Sequence, residues 1–269
     1  MKKLFRIVAF TLIASISFLS TPLFATEEES IGLTAGIEYA SKSMWRGMYL
    51  YDKEGIFYPF LTYDVLDTGL SLTVLAGLAE AYIFDKEQTV FKDNQYMGFC
   101  IDYSNNFGLV TLGAGFHYYM YHWEREYDYS ETYVSFALED FFLSPTLTII
   151  YDYYFGEVDG DAGKDFYIQL GIGHSFDLIS EIVSLDLGAS IGYYSSSVEA
   201  EKVSGISDID LSIGLSVDHN SVNYFAGFHY VIVPSKDFYY HEAIHTKNIN
   251  STVKDKHRFY SVFGVSHSF

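Results

Sequence analysis

A single cysteine, Cys100, stands in a chain of 269 residues. No intramolecular disulfide can form, no thiolate metal cluster can be built, and no lipobox cysteine is present. Positive charge is scarce too, with 16 lysines and arginines against 35 aspartates and glutamates. Long apolar runs are missing after residue 25, so no helix of the roughly 20 residues needed to span a bilayer can be drawn there. Residues 1–25 read as a secretory signal peptide. Lys2, Lys3 and Arg6 precede an uncharged stretch over 7–19, and Leu23-Phe24-Ala25 offers a small residue at the cut. Residues 26–30 are then a short acidic segment. Removing 1–25 takes away three bases and no acids, so the charge becomes (16 − 3) − 35 = −22. Nucleic acid is excluded as a partner by repulsion.

What is abundant is aromatic, 25 tyrosines and 23 phenylalanines against 2 tryptophans, and it lies in alternating segments. Period two is the signature of a strand with different surroundings on its two faces. Twelve such segments can be drawn: 31–40, 57–65, 70–81, 95–103, 109–122, 132–140, 147–155, 166–176, 183–194, 209–217, 222–233 and 258–269. Glycines 113, 115, 171, 173, 188, 192, 214 and 227 fall on the polar face, where a concave wall leaves little room. Connections after the even segments are short, and those after the odd segments are longer. That parity belongs to an outer-membrane barrel with periplasmic turns and longer outer loops, and a soluble sandwich has no reason to segregate loop lengths in this way. The expected fold is all-β, an antiparallel up-and-down transmembrane barrel of about twelve strands over 31–269, in the outer membrane and in contact with its lipid.

Residues 258–269 (RFYSVFGVSHSF) alternate and stop on Phe269. The stretch resembles the C-terminal signal of bacterial outer-membrane barrels, which implies that Phe269 is read by the barrel assembly machinery. Tyr39 to Gly47 (YASKSMWRG), Tyr58-Pro59 and the Thr68-Gly69-Leu70-Ser71-Leu72 hairpin resemble the TorF-type porins over residues 33–80. The resemblance implies a porin-like protein without an assigned substrate.

Enzymatic patterns found on other small barrels fit poorly. His219-Asn220-Ser221 lies in a periplasmic turn, whereas barrel phospholipases carry His, Ser and Asn at the outer rim. His122, Glu124, Glu126 and Asp128 have the residue types of the omptin proteases but come from one loop. His241 and His245 with Glu242 lack the HExxH order and a third ligand. No enzyme activity, cofactor or metal is expected. Trp45-Arg46 is the loop motif that stands out. Its arginine either folds into the barrel mouth as a constriction opposite lumen carboxylates or anchors the loop at the headgroup interface.

Acids occupy the polar faces: Glu38 and Glu80 toward the outer end, and Asp64, Asp102, Glu139, Asp186 and Asp210 toward the periplasmic turns. The bases lie in the long loops, apart from Arg258 at the start of the last segment. A ring of acids without fixed counter-charge favours cations. The expectation is a passive channel for small solutes or ions that prefers cations. The alternative is a non-conducting barrel that serves as an envelope scaffold or surface interaction protein.

Overall fold

The computed structural model describes residues 31–49, 55–66, 68–79, 95–121, 128–138, 140–155, 164–179, 182–196, 203–235, 237–238 and 255–269. The expected signal peptide and acidic segment lie outside them. The strands are β1 (Leu33–Ala40), β2 (Met44–Trp45), β3 (Met48–Tyr49), β4 (Ile56–Val65) and β5 (Leu70–Ala79). They continue with β6 (Gln95–Asn106), β7 (Thr111–Tyr121), β8 (Tyr129–Ala137), β9 (Thr146–Tyr154) and β10 (Lys164–Ile179). The last four are β11 (Val183–Ser196), β12 (Ser204–His219), β13 (Val222–Ile232) and β14 (His257–Ser268).

All but β2 and β3 join into one closed antiparallel barrel, each strand paired with its chain neighbour. The seam is made by β1, which pairs with β4 on one side and β14 on the other, in a register that sets Ile37 opposite both Pro59 and Val265. The expected twelve-strand barrel is what the chain forms. Closure leaves no strand edge unpaired, as backbone in lipid requires.

Alternation decides which side chains face out. Leu72 and Val74, Phe99 and Ile101, Leu170 and Ile172, Leu211 and Ile213, and Phe259 and Phe263 all stand exposed on the barrel exterior. Such a continuous apolar outer face is suited to lipid and would be untenable in water. Thr62 and Thr73 face inward as a cross-strand pair with hydroxyls 2.9 Å apart.

The turns at one end are tight. Asn220 and Ser221 link β12 to β13 with φ of 50° and 63°, the left-handed pair that a two-residue hairpin loop requires. Between β8 and β9 the connection is longer than the sequence suggests, because β8 stops at Ala137. Three nested backbone bonds wind it tightly, Phe141 N–H to Leu138, Ser144 N–H to Phe141 and Leu138 N–H to Pro145. At the other end β12 begins at Ser204, earlier than its alternation suggests. A bulge against Gly192 and Tyr193 of β11 breaks the period-two pattern there.

Several lumenal glycines have a more specific role than leaving room. Gly36, Gly77, Gly115 and Gly264 sit directly opposite Phe60, Tyr96, Tyr133 and Phe225, and in each pair the ring lies where a Cβ would be. The glycines let aromatic side chains lie flat against the inner wall instead of filling the lumen.

Candidate functional site

Within the connection from β1 to β4, the sequence Met44 to Tyr49 forms a hairpin that the alternation did not foresee. Met44 pairs with Tyr49 and Trp45 with Met48. Arg46 and Gly47 take φ of 49° and 85°. Both are left-handed, the arrangement whose twist matches short hairpin strands. Arginine at such a position is strained by roughly 1–2 kcal/mol, so something must hold it.

That support comes from the inside of the barrel. The Arg46 guanidinium makes a two-pronged pair with Asp152 of β9, with Nη2 2.8 Å from Oδ1 and Nη1 on Oδ2, and the same Nη2 lies 3.0 Å from Glu131 Oε1 of β8. Its flat face lies over the rings of Trp45 at 4.3 Å and Tyr167 at 4.9 Å. Asp152 is wholly buried and Arg46 nearly so, so each neutralises a charge that would otherwise be very costly to desolvate.

A second arginine fixes the other side of the turn. Buried Arg258 donates from Nη1 to the Gly47 carbonyl at 2.5 Å and from Nε to the Asp255 carbonyl at 3.1 Å, and it covers the Tyr49 ring at 4.5 Å. Gly47 itself lies so close to Asp208 that an added Cβ would fall 2.8 Å from the Asp208 Cβ. The hairpin packs on an apolar cluster of Met48, Tyr167, Tyr194, Val231, Val233 and Phe238 inside the long-loop end of the barrel.

From Arg46 a polar network runs along the β6–β9 wall. Glu131 lies 4.0 Å from His117, whose Nε2 is 2.8 Å from Asp102 Oδ1, and the Tyr133 hydroxyl donates to that oxygen at 2.7 Å. On the next strands Tyr194 donates to Asp165 at 2.5 Å, and Tyr167 and Ser207 donate to Asp208.

Elsewhere the lumen is open, between small residues and a few rings. A cavity of about 460 Å³ is bounded by Glu38, Tyr58, Asp186, Gly214, Gly227 and Tyr260 among others. Another of about 300 Å³ lies against Gly171, Gly173, Gly188, Ser190 and Ser212.

The expected site residues are therefore dispersed. Glu38 lines the larger cavity. Asp64 is exposed near the short-turn end of β4. Asp102 is held by His117 and Tyr133, while Asp186 accepts from the Ser216 hydroxyl at 2.9 Å. Asp210 requires correction. It lies at the middle of β12 and contacts His229 at 2.9 Å, because β12 runs from a long connection toward its short turn and its early residues belong to the far half of the wall.

The expected lack of counter-charge is corrected as well, since Arg46 and Arg258 both enter the lumen. Glu80, Glu139, His122, Glu124, Glu126, His241, Glu242 and His245 lie outside the described residues. Asp128 is buried and accepts from the Tyr118 hydroxyl at 2.8 Å and the Tyr121 amide at 2.7 Å. His219 and Asn220 contact each other at the short turn. Phe269 donates its amide to the Leu33 carbonyl at 2.8 Å, across the seam.

Sequence reasoning passed over Glu131, Asp152, Asp165, Asp208, His117 and the inward course of Arg258. The available signal was parity, because each sits on the polar face of its strand.

No family model and no curated protein sequence matches this chain. Solved structures do match. The KdgM porin superposes with a TM-score of 0.51 at 11% identity, over 88% of this chain and 99% of its own. The KdgM porin in complex with disordered oligogalacturonate gives 0.51 at 10%, over the same shares. An outer membrane channel from Pseudomonas putida F1 gives 0.48 at 10%, over 91% of this chain and 98% of its own. The likeness is one of fold. Together with the lipid-suited exterior it makes this chain an outer-membrane β-barrel.

Proposed function

We propose that the protein is a porin-like channel for small solutes or ions, of the TorF type that its first hairpins resemble, and that cations pass in preference to anions. The observation that carries this reading is the unfilled half of the lumen. Glycines and serines of β10 to β13 leave cavities beside the inward hairpin, and rings such as Phe60 and Phe225 lie flat over facing glycines instead of filling the lumen. Twelve-strand barrels fall between the filled eight-strand and open sixteen-strand cases, so strand number alone does not favour a pore.

Arg46 and its hairpin narrow the passage at the long-loop end, and Trp45 backs the guanidinium. The fold likeness to KdgM supports the class. KdgM's oligogalacturonate is a polyanion, and the excess of carboxylates in this lumen argues against the same cargo here. Among the described residues no catalytic grouping lines the lumen, and the His219-Asn220-Ser221 group stands at the short-turn end, away from the outer rim.

A non-conducting scaffold is the competing reading, favoured by the apolar cluster that seats the hairpin in the mouth. Purified protein in planar bilayers separates the two. Stable unitary steps that grow when Arg46 is changed to alanine support the channel. Folded, heat-modifiable protein that gives no steps supports the scaffold.

A further inference from the structure

We propose that the larger lumenal cavity is a binding site for small organic cations that carry a free ammonium group, which deepens the channel reading and rests on it. Its volume of about 460 Å³ falls within the range of about 300–1,000 Å³ usual for small-molecule sites. The central observation is Glu38. It is half-buried on β1 and borders the cavity, and among the described residues it is the half-buried lumenal carboxylate that makes no hydrogen bond or ion pair. The other lumenal acids at comparable burial are engaged: Asp102 by His117 and Tyr133, Asp186 by Ser216, Asp210 by His229. A carboxylate partly withdrawn from water and left without a donor favours a ligand that brings one.

The rest of the lining says what kind of donor. Tyr58, Phe225 and Tyr260 border the same cavity. Tyr260 is held as a fixed plate by stacking on His229 at 4.4 Å with the rings 12° apart, and Phe225 lies flat over Gly264. Aromatic faces beside a carboxylate suit an ammonium with an attached carbon chain, through cation–π attraction and apolar contact. A bare inorganic cation gains little from the rings, and an organic anion is repelled by Glu38 and Asp186. His229 is turned to Asp210, and Lys42, at the cavity edge, has its ammonium over the Tyr49 ring at 5.5 Å.

The test compares three probes of one shape: butylammonium, 1-butanol and butyrate, titrated by calorimetry into the purified full barrel in detergent. Butylammonium is expected to bind at least roughly tenfold more tightly than butanol, with butyrate weakest, since a charge-assisted hydrogen bond is worth about that factor. This comparison needs no variant. E38Q should remove the preference and Y260L should weaken it, while D177N, near the short turns, should leave it intact. Heat-modifiable migration confirms that each variant is folded. Equal binding of butanol and butylammonium, or a preference that survives in folded E38Q, overturns the site. Bilayer recordings on the same protein keep the two proposals apart: butylammonium binding without unitary steps overturns the channel and supports the site, and steps without binding do the reverse.

Discussion

The guanidinium of Arg46 and the carboxylate of Asp152 form a two-pronged pair inside the barrel, although 106 residues separate them in the chain. Arg46 sits at a strained turn position and Asp152 is fully buried, so each depends on the other. Replacing Arg46 with methionine leaves a buried carboxylate without its main partner and should cost about 3–5 kcal/mol. Adding D152N should recover part of that loss. Urea unfolding in lipid vesicles measures both, and an R46M barrel as stable as the parent would contradict the pairing.

The glycine–aromatic pairs predict a different kind of coupling. A Cβ on Gly36 would fall 2.5 Å from Phe60 Cζ, so G36A forces the ring off the wall and should destabilise by about 1–3 kcal/mol. Truncating the ring first, as F60L, should lower the cost of G36A without abolishing it, because the Val265 carbonyl oxygen stays 2.8 Å from the added Cβ. A double-mutant cycle reads this directly, and additive costs would mean that the ring position does not depend on the glycine.

The barrel itself was legible because period two and alternating connection lengths are local properties, visible at Leu72-Thr73-Val74 as much as at Phe259 to Phe263. The hairpin was not. Strands of two residues carry no period, and Arg46-Gly47 lacks the Asn-Gly or Asp-Gly pair that usually marks such a turn. Trp45 and Arg46 could be picked out as unusual, but their partners Glu131 and Asp152 come from strands far along the chain, and only closure brings them together. Asp210 was placed at the wrong end because depth depends on which connection feeds a strand. The position of Glu38 beside an open cavity depends on where Phe60 and Phe225 lie, which the sequence does not state.

Facing can be tested between neighbours on one strand. Val74 is on the exterior, 42% exposed, and Thr73 pairs with Thr62 in the lumen. Arginine at Val74 should cost roughly 2–4 kcal/mol if the site lies near the bilayer midplane, whereas arginine at Thr73 meets a polar interior and should cost less. L187R belongs with the first class. Equal unfolding costs for V74R and T73R would contradict the assigned faces.

Phe269 predicts an assembly defect without a transport defect. Its amide donates to Leu33 across the seam and its ring packs edge-on against His267 at 4.4 Å, outside the lumen. Deleting it should reduce the amount of folded barrel in the outer membrane, while the barrels that do form should keep the parental unitary conductance. Unchanged folded levels would remove Phe269 from assembly.

Ion preference follows from which lumenal charges remain unbalanced. Arg46 is matched by Asp152 and Glu131 together, and Arg258, which keeps its charge while donating to the carbonyls of Gly47 and Asp255, shares its end of the barrel with buried Asp165 and Asp208. Glu38, Asp64, Asp102 and Asp186 meet no lysine or arginine within ion-pair distance among the described residues; Asp102 faces His117. An acidic lining raises the local cation concentration, and the effect weakens as salt shortens the screening length. Reversal potentials under a potassium chloride gradient should therefore favour potassium, more strongly at low salt. Neutralising Asp64, Asp102 and Asp186 together should shift the potential toward zero preference, and R46A should shift it further toward potassium by removing a fixed positive charge from the lumen. A chloride preference in the parent, or a potential that none of these substitutions moves, would show that the lumenal carboxylates do not set selectivity.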